Sequence, residues 1–133
     1  MIRARKLLFV LTDGGRAHFV EYHAATTSFV RLTQIDQHHQ IEEARAAHPG
    51  EDATRAVKES FMAKVAAQTL VVANHGGFSE VVLAAPTRLI GELKRQLAGK
   101  IEILETIGKD LTKEPEHDLA KWFKAALFEV APE

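Results

Sequence analysis

KLLFVLTDGGRAHFVEY, residues 6–22, is the stretch around which the rest of the chain is arranged. Leu7–Leu11 is an unbroken apolar run, which is typical of a strand that is covered on both faces of a sheet. The DGG segment at residues 13–15 follows at once, and its glycines supply the positive φ that a tight hairpin turn requires. Ala17–Tyr22 is rich in β-favouring side chains. We therefore predict a central strand, a hairpin turn and a return strand.

Composition limits the class of protein. A chain of 133 residues suits one domain with a substantial core, so we predict a single domain over residues 1–133. The apolar share of 46% and the charged share of 26% are those of a soluble globular protein. A net charge of −1 argues against a broad nucleic-acid-binding face, although it is compatible with a local basic patch. The absence of cysteine excludes disulfides and thiolate metal sites, and fits a cytoplasmic location.

The N-terminal residues imitate a signal peptide, because Arg3, Arg5 and Lys6 precede an apolar run. That run holds only five residues before the turn, and it lacks a small-residue cleavage site, so we reject a signal peptide. No apolar stretch approaches the roughly 20 residues that a membrane-spanning helix needs. We therefore expect no membrane insertion.

The rest of the chain predicts a third strand and then alternating helices and strands. Phe29–Ile35 alternates, with Val30 and Leu32 on one face and Arg31 and Thr33 on the other. The later predicted elements are a short helix Ile41–Ala47, a helix Ala53–Asn74, a strand Glu80–Ala85, a helix Thr87–Leu97, a strand Ile101–Ile107 and an amphipathic helix Glu116–Phe128.

The long central helix carries signals at both ends. Asp52 or Thr54 is the expected N-cap, since acidic residues are also favoured near the positive end of the helix dipole. Gly76 and Gly77 are expected to end the helix, because glycine is the usual residue just past a helix C-terminus.

The order of elements predicts the topology. Three meandering strands followed by helical crossovers give a mixed sheet with helices on both faces. Right-handed crossovers place the fourth strand beside the first and parallel to it, with the fifth beyond. We therefore predict a three-layer α/β fold whose five-stranded sheet has the ribonuclease-H-like order 3-2-1-4-5.

Three loops are predicted to meet at one edge, because the carboxyl ends of parallel strands open on the same side and commonly bind ligands there. The loops combine glycine turns, cations, carboxylates and hydroxyls, and one of them begins a helix whose free N–H groups favour an anion. The candidate ligand-binding residues are Asp13, Gly14, Gly15, Arg16, Thr87, Arg88, Lys109, Asp110, Thr112 and Lys113. A phosphate or another anionic group would suit this edge. The alternative interpretation is a set of solvated turns whose Asp and Thr side chains satisfy loop backbone.

A catalytic interpretation depends on two carboxylates. Ribonuclease-H-like nucleases hold two metal ions with several carboxylates, and Asp13 ends the central strand while Asp110 could reach the same edge. Two carboxylates that compete with Arg16, Lys109 and Lys113 fall short of such a site, so we predict no metal and no other cofactor. A metal-dependent phosphoester or nucleotide hydrolase stays as an alternative function.

Three motifs, LTDGGRAHFVE, LAAPTRLIGELKRQL and IGKDLTKEPEHDL, resemble those of the bacterial host-attachment proteins, which are described as required for attachment to host cells. The resemblance extends from about Leu7 to Phe123. The family is similar to the middle domain of archaeal and eukaryotic release factors and of Pelota, which implies a ribonuclease-H-like fold. That implication agrees with the strand order that the pattern predicts.

The chain departs from the release factors at the residues that matter for their activity. Release factors carry Gly-Gly-Gln in the loop that reaches the peptidyl-transferase centre. Here the glycine pair at residues 14–15 is followed by Arg16, and the pair at residues 76–77 by Phe78. The segment His38–Thr54, where such a loop would lie, has no Gly-Gly. Peptidyl-tRNA hydrolysis is therefore not expected.

The function we expect is that of a cytoplasmic binding protein whose partner is RNA, the ribosome or another anionic ligand, with no assigned catalysis. Its contact edge would be formed by the candidate residues of the three loops. A homodimeric interaction module, acting through an exposed edge strand or the helix of Trp122, is a further alternative.

Overall fold

A computed structural model describes residues 7–23, 26, 28–37 and 51–123 of the chain. In chain order the elements are β1 (Leu7–Thr12), β2 (Arg16–His23), β3 (Ser28–Asp36), α1 (Glu51–Gly76), β4 (Glu80–Ala84), α2 (Thr87–Leu97), β5 (Glu102–Ile107) and a 3-10 helix (Glu116–Lys121). The described strands form one sheet in the order β3-β2-β1-β4-β5. β1 is antiparallel to β2 and parallel to β4, which is parallel to β5. The predicted mixed sheet and its strand order are confirmed.

β1 lies at the centre of the sheet, and all six of its residues are buried. Leu8 and Val10 belong to the core on one face, which we call the helical face because α1 and α2 pack on it. Leu7, Phe9 and Leu11 belong to the core on the opposite face. Burial on both sides explains why this strand is a continuous apolar run and does not alternate.

The helical face is closed by α1 and α2. Leu89, Leu93 and Leu97 of α2 are buried at four-residue spacing, so they form one stripe towards the sheet. Phe61 and Val65 of α1 share the same core. No helix among the described residues is long and apolar enough to cross a membrane.

The ends of α1 confirm one prediction and correct another. The helix ends at Gly76, and Gly77 follows with a φ of 72°, as a helix-ending glycine does. The helix begins at Glu51, so Asp52 and Thr54 lie inside it and the predicted N-caps are wrong. The predicted helix Ile41–Ala47 lies outside the described residues.

The opposite face is covered, within the described residues, by the chain that follows β5. Leu111, Leu119 and Phe123 are buried there, and the ring of Phe123 lies 4.8 Å from that of Phe9. The segment Glu116–Lys121 is a 3-10 helix, so the α-helix predicted over Glu116–Phe128 is wrong in its described part. Three residues per turn align Leu119 with Trp122, which keeps both side chains on the sheet. Residues 124–128 lie outside the described chain.

β3 departs from its predicted alternation. Its pairing with β2 steps from Arg31 to Thr33 between consecutive β2 residues, so Leu32 is an extra residue, a β-bulge. Thr33 therefore shares a face with Val30 and not with Arg31, and the predicted grouping is wrong. Val30 and Leu32 are 41% and 42% exposed on this strand, which is an edge of the described sheet.

Candidate functional site

Three loops lie side by side at the carboxyl ends of β1, β4 and β5: residues 12–16, 85–88 and 108–113. We call this surface the loop edge. Ala84 is paired with a β1 residue on one side and with Ile107 on the other, so the three strands end level with one another. The backbone N–H of Ala85 donates to the Ile107 carbonyl oxygen at 3.1 Å. The Thr87 hydroxyl donates to the Gly108 carbonyl oxygen at 3.2 Å, which joins the second loop to the third.

Gly14 brings the hairpin turn against the helices. Its φ is 95°, a backbone conformation that side chains other than glycine rarely adopt. A Cβ at this position would lie 2.8 Å from Cδ1 of Leu89 and 3.2 Å from Cγ of Lys58. The turn therefore rests directly on the first turn of α2 and on α1. The glycine is explained by conformation and by close packing, without any ligand.

The two carboxylates of the loop edge are engaged by their own loops. Oδ1 of Asp13 accepts hydrogen bonds from the backbone N–H groups of Gly15 and Arg16, at 2.9 and 2.8 Å. Oδ1 of Asp110 accepts from the backbone N–H and the hydroxyl of Thr112, at 2.9 and 2.6 Å. These are Asx-type turns, in which a short side chain substitutes for a backbone acceptor. The turn interpretation accounts for both carboxylates and for Thr112, which is 6% exposed.

Thr12 is a further polar residue of this edge, and the sequence interpretation did not single it out. It is fully buried, and its hydroxyl donates to the Arg16 carbonyl oxygen at 2.7 Å. The backbone N–H of Gly14 donates to the same hydroxyl at 3.4 Å. A threonine directly before Asp-Gly is the available sequence signal, because its hydroxyl can bridge a tight turn.

The cations of the loop edge are held less tightly than its carboxylates. Arg88 and Lys113 are exposed, and neither forms an ion pair with the described residues. Nε of Arg16 lies 3.6 Å from Oδ2 of Asp36, and both side chains are partly exposed. Nζ of Lys109 lies 4.6 Å from the centroid of the Trp122 ring. Positive charge is therefore the part of this surface that remains available to a ligand.

The N-terminus of α2 adds to this positive character. Pro86 is the N-cap and makes no side-chain capping bond, and the first turn contains no acidic residue. The first turn closes on the Pro86 carbonyl oxygen, which accepts from Leu89 and Ile90 at 2.8 and 3.1 Å. The amides of Thr87 and Arg88 precede those bonds, at the end of the helix where an anion is favoured.

His18 lies beside the edge on the face opposite α1 and α2, and it is 7% exposed. Burial lowers its pKa below the ordinary value, and the nearby positive charges of Arg31 and Arg16 lower it further. The smaller influences of Glu116 and Asp13 act in the opposite direction. Burial therefore favours the neutral form of His18, and the two arginines favour it further.

A second surface lies on the helical face, between β3 and the C-terminal half of α1. A cavity of about 360 Å³ opens there, lined by Glu21, Leu32, Thr33, Gln68, Val71, Val72, His75, Gly76 and Phe78. We call it the β3 groove. Among the described residues the exposed large hydrophobic side chains are those of Val30, Leu32 and Val71. Two of them line the groove, and Val30 is paired with Glu21, which lines it too.

The donor set for a metal is incomplete. Within the described part of the chain, no group of three or more His, Cys, Asp and Glu side chains is arranged to hold a metal ion. Asp13 and Asp110, the two carboxylates on which the hydrolase alternative depends, are both engaged in turns. The hydrolase alternative gains no support from this geometry, and we do not propose it.

A family profile described as "Protein required for attachment to host cells" matches residues 33–122, which is more than half of the chain. The chain belongs to this family. The match includes the second and third loops of the edge, while the hairpin turn at residues 12–16 precedes it. The resemblance seen in the sequence motifs is confirmed. No curated protein matches the sequence.

Two solved structures are similar to this host-attachment family member. One is the Pelota protein of Thermoplasma acidophilum, with a TM-score of 0.57 and 9% identity over 96% of this chain and 35% of that chain. The other is an archaeal translation termination factor, with a TM-score of 0.40 and 15% identity over 93% of this chain and 39% of that one. The chain thus spans well under half the length of these proteins. At such low identity, the likeness to Pelota shows the fold alone.

Proposed function

We propose that this host-attachment family protein is a cytoplasmic binding protein that takes a phosphate-bearing ligand at the loop edge. RNA, free or in the ribosome, is the ligand class we propose. The observation that carries the proposal is the unequal use of charge at this edge. Its carboxylates are bound within their own turns, whereas the cations Arg88, in the first turn of α2, and Lys113, in the third loop, are exposed. The first turn of α2 contains no acidic residue.

This arrangement suits phosphate for two reasons. A helix N-terminus presents backbone N–H donors and a positive dipole end, which together bind anions. Exposed Arg and Lys side chains on adjoining loops add charge-assisted hydrogen bonds to phosphate oxygens without reading a base sequence. RNA is the first phosphate polymer to test, because the sequence motifs resemble a family that is similar to the middle domain of the release factors. The net charge of −1 restricts the basic surface to a local patch.

The test is the binding of a labelled single-stranded RNA, followed by fluorescence anisotropy at several salt concentrations. We expect the double variant Arg88→Ala, Lys113→Ala to bind RNA more weakly than the native protein. The log–log salt dependence of its binding constant should also be shallower by about 1.4, because each phosphate contact in a single strand contributes about 0.7. Both side chains are exposed, so the melting temperature should not change.

The matched control is the double variant Lys94→Ala, Lys100→Ala. It removes the same net charge from exposed positions at and beyond the other end of α2. We expect it to retain native affinity and the native salt slope. Equal losses of RNA affinity in the two double variants would mean that binding depends only on the net charge of the protein. No binding by the native protein at low salt would contradict the proposal outright.

A second candidate function is protein interaction through the β3 groove, with a second copy of the chain as the partner to test first. The observation in its favour is the collection of exposed Val30, Leu32 and Val71 around one cavity at an edge strand. Exposed apolar side chains gathered in this way commonly mark interaction surfaces.

Light scattering tests this second candidate directly. The native protein should measure as a dimer, and Leu32→Lys with Val71→Lys should shift it to a monomer that keeps the native circular dichroism spectrum. Arg55→Glu with Glu59→Lys, which exchanges exposed charges at the far end of α1, should leave the dimer intact. A native protein that is monomeric at all concentrations would remove the homodimer.

A further inference from the structure

Trp122 occupies a constrained position next to the loop edge. Its indole N–H donates to Oε1 of Glu114 at 2.9 Å, and its backbone N–H donates to the Leu119 carbonyl oxygen at 3.0 Å. The side chain packs against the core on the face opposite α1 and α2, yet it remains partly exposed. The ring is therefore fixed in place before any ligand arrives.

A cation covers this ring. Nζ of Lys109 lies 4.6 Å from the ring centroid, within the distance at which an ammonium is attracted to an aromatic face. Lys109 is also one of the basic residues of the loop edge, and its neighbour Gly108 accepts the hydrogen bond from Thr87. The aromatic surface and the α2 N-terminus are thus joined through two consecutive residues of one loop.

We propose that Trp122 is a stacking surface for a base of single-stranded RNA, and that Lys109 leaves the ring for a backbone phosphate when the base arrives. This inference rests on the proposed function and names how its ligand is held. Aromatic side chains next to a basic groove are the usual means by which proteins hold unpaired bases, because every base has a π-face. The Lys109 ammonium covers the aromatic face of Trp122 until a base replaces it.

When a base replaces the Lys109 ammonium over the Trp122 ring, both the ring and the ammonium keep an interaction partner. The base takes the position over the ring that the Lys109 ammonium held, and the ammonium gains a phosphate oxygen as its new partner. Glu114 stays bound to the indole N–H, so its charge remains at the edge of the ring and does not lie across its face. The alternative is a purely structural Trp122 that closes the core with Leu119 and Phe123.

Fluorescence distinguishes these alternatives in the native protein, because Trp122 is the only tryptophan in the sequence. Titration with single-stranded RNA should quench its emission in parallel with the anisotropy of the labelled RNA. Inorganic polyphosphate, which carries phosphate without bases, should compete for binding without the same quenching. A base stacked on the ring produces the first effect, whereas movement of Lys109 alone would produce equal effects with both ligands.

Two substitutions give the size of the effect. Trp122→Leu removes the aromatic face and should weaken RNA binding by roughly five- to 150-fold, the range measured for one stacked base. Trp122→Phe keeps an aromatic ring and should lose less. Polyphosphate binding should not weaken in either variant, because neither substitution removes a cation of the loop edge. Thermal melts show whether both variants fold.

The outcomes separate this inference from the function on which it rests. RNA that binds by anisotropy but leaves Trp122 emission unchanged would overturn base stacking and leave the phosphate site standing. RNA that quenches no more than polyphosphate does would overturn it too. An absence of any RNA binding at low salt would overturn the proposed function and the stacking together. The native titrations decide the matter even if Trp122→Leu fails to fold.

Discussion

The loop edge and the β3 groove belong to the same sheet but expose different chemical groups to water: polar and charged groups at the loop edge, and apolar side chains at the groove. At the loop edge the polar groups are paired locally, with Asp13 and Asp110 bound to backbone N–H groups two or three residues away. At the β3 groove the exposed side chains are apolar, and Leu32 and Val71 face a cavity. The first surface suits a charged ligand, and the second suits another apolar surface.

The difference arises from how each surface is built. The loop edge depends on close packing, because the hairpin turn is pressed against Leu89 and Lys58 and the third loop is bonded to the second. The groove depends on an extra residue in an edge strand, where the register with β2 shifts. Substitutions at the closely packed residues of the loop edge should therefore cost stability, whereas substitutions of its exposed cations or of groove residues should cost little.

The largest effect is expected at Gly14. Gly14→Ala should lower the free energy of unfolding by about 2–4 kcal/mol, because a Cβ meets both a positive φ of 95° and the Leu89 side chain at 2.8 Å. Gly91→Ala is the control, since Gly91 lies within α2 with no atom near its Cβ position. That variant should gain about 0.5–1 kcal/mol. Urea denaturation measures both, and a neutral Gly14→Ala would show that the turn does not depend on this packing.

A smaller loss is expected at Thr112. Thr112→Val removes the hydroxyl that donates to the Asp110 carboxylate at 2.6 Å and should cost about 2 kcal/mol. Thr112→Ser keeps the hydroxyl and should recover most of that stability. RNA affinity, corrected for folding, should be unchanged in both variants because Thr112 is buried. A large loss of affinity in a fully folded Thr112→Val protein would instead place this residue in contact with the ligand.

The loop edge was predictable because its position follows from topology. An unbroken apolar run over Leu7–Leu11 indicates a strand buried on both faces, and right-handed crossovers then order the other strands around it. The carboxyl ends of β1, β4 and β5 must meet once that order is given, and the structure shows that they do. What the spacing could not show was the direction of each side chain. Asp13 and Thr112 are residue types that binding sites commonly use, but their side chains form hydrogen bonds within their own turns.

The β3 groove was not predictable, because it depends on a shift of one residue in the pairing of β3 with β2. A strict alternation over Phe29–Ile35 assigns every side chain to a face, and a bulge at Leu32 reverses that assignment for the residues beyond it. The α-helix predicted over Glu116–Phe128 is wrong in its described part for a related reason. Periods of 3.0 and 3.6 residues are hard to distinguish over six residues, and packing of Leu119 and Trp122 on the sheet favours the shorter period.

His18 is predicted to make the stability of the fold depend on pH, because it is buried in the folded protein. Its pKa is lowered, chiefly by burial and then by Arg31 and Arg16. The unfolded chain therefore takes up a proton at a higher pH than the folded protein does, so the stability contributed by neutral His18 is present above its unfolded pKa. It is lost as the pH falls from the ordinary histidine range towards the lowered pKa.

Denaturation at pH 7 and at pH 5 measures this dependence. The native protein should lose more stability across that interval than His18→Gln, whose side chain does not titrate. The other six histidines are common to both proteins and cancel in the difference. Identical pH dependence in the two proteins would mean that His18 is as easily protonated when folded as when unfolded.

The smallest effect is expected in the β3 groove, at Leu32. Leu32 is 42% exposed and lies at a bulge, so Leu32→Gln should change the free energy of unfolding of the monomer by no more than about 0.5 kcal/mol. Urea denaturation at low protein concentration measures the free energy of unfolding of the monomer without any contribution from association. At high concentration the same variant should melt below the native protein if the groove is filled by a second copy, because a partner that binds only the folded state raises its apparent stability. A large loss of unfolding free energy at low concentration would show that Leu32 stabilises the sheet itself. The groove would then resemble the loop edge, where substitution of packed residues costs stability.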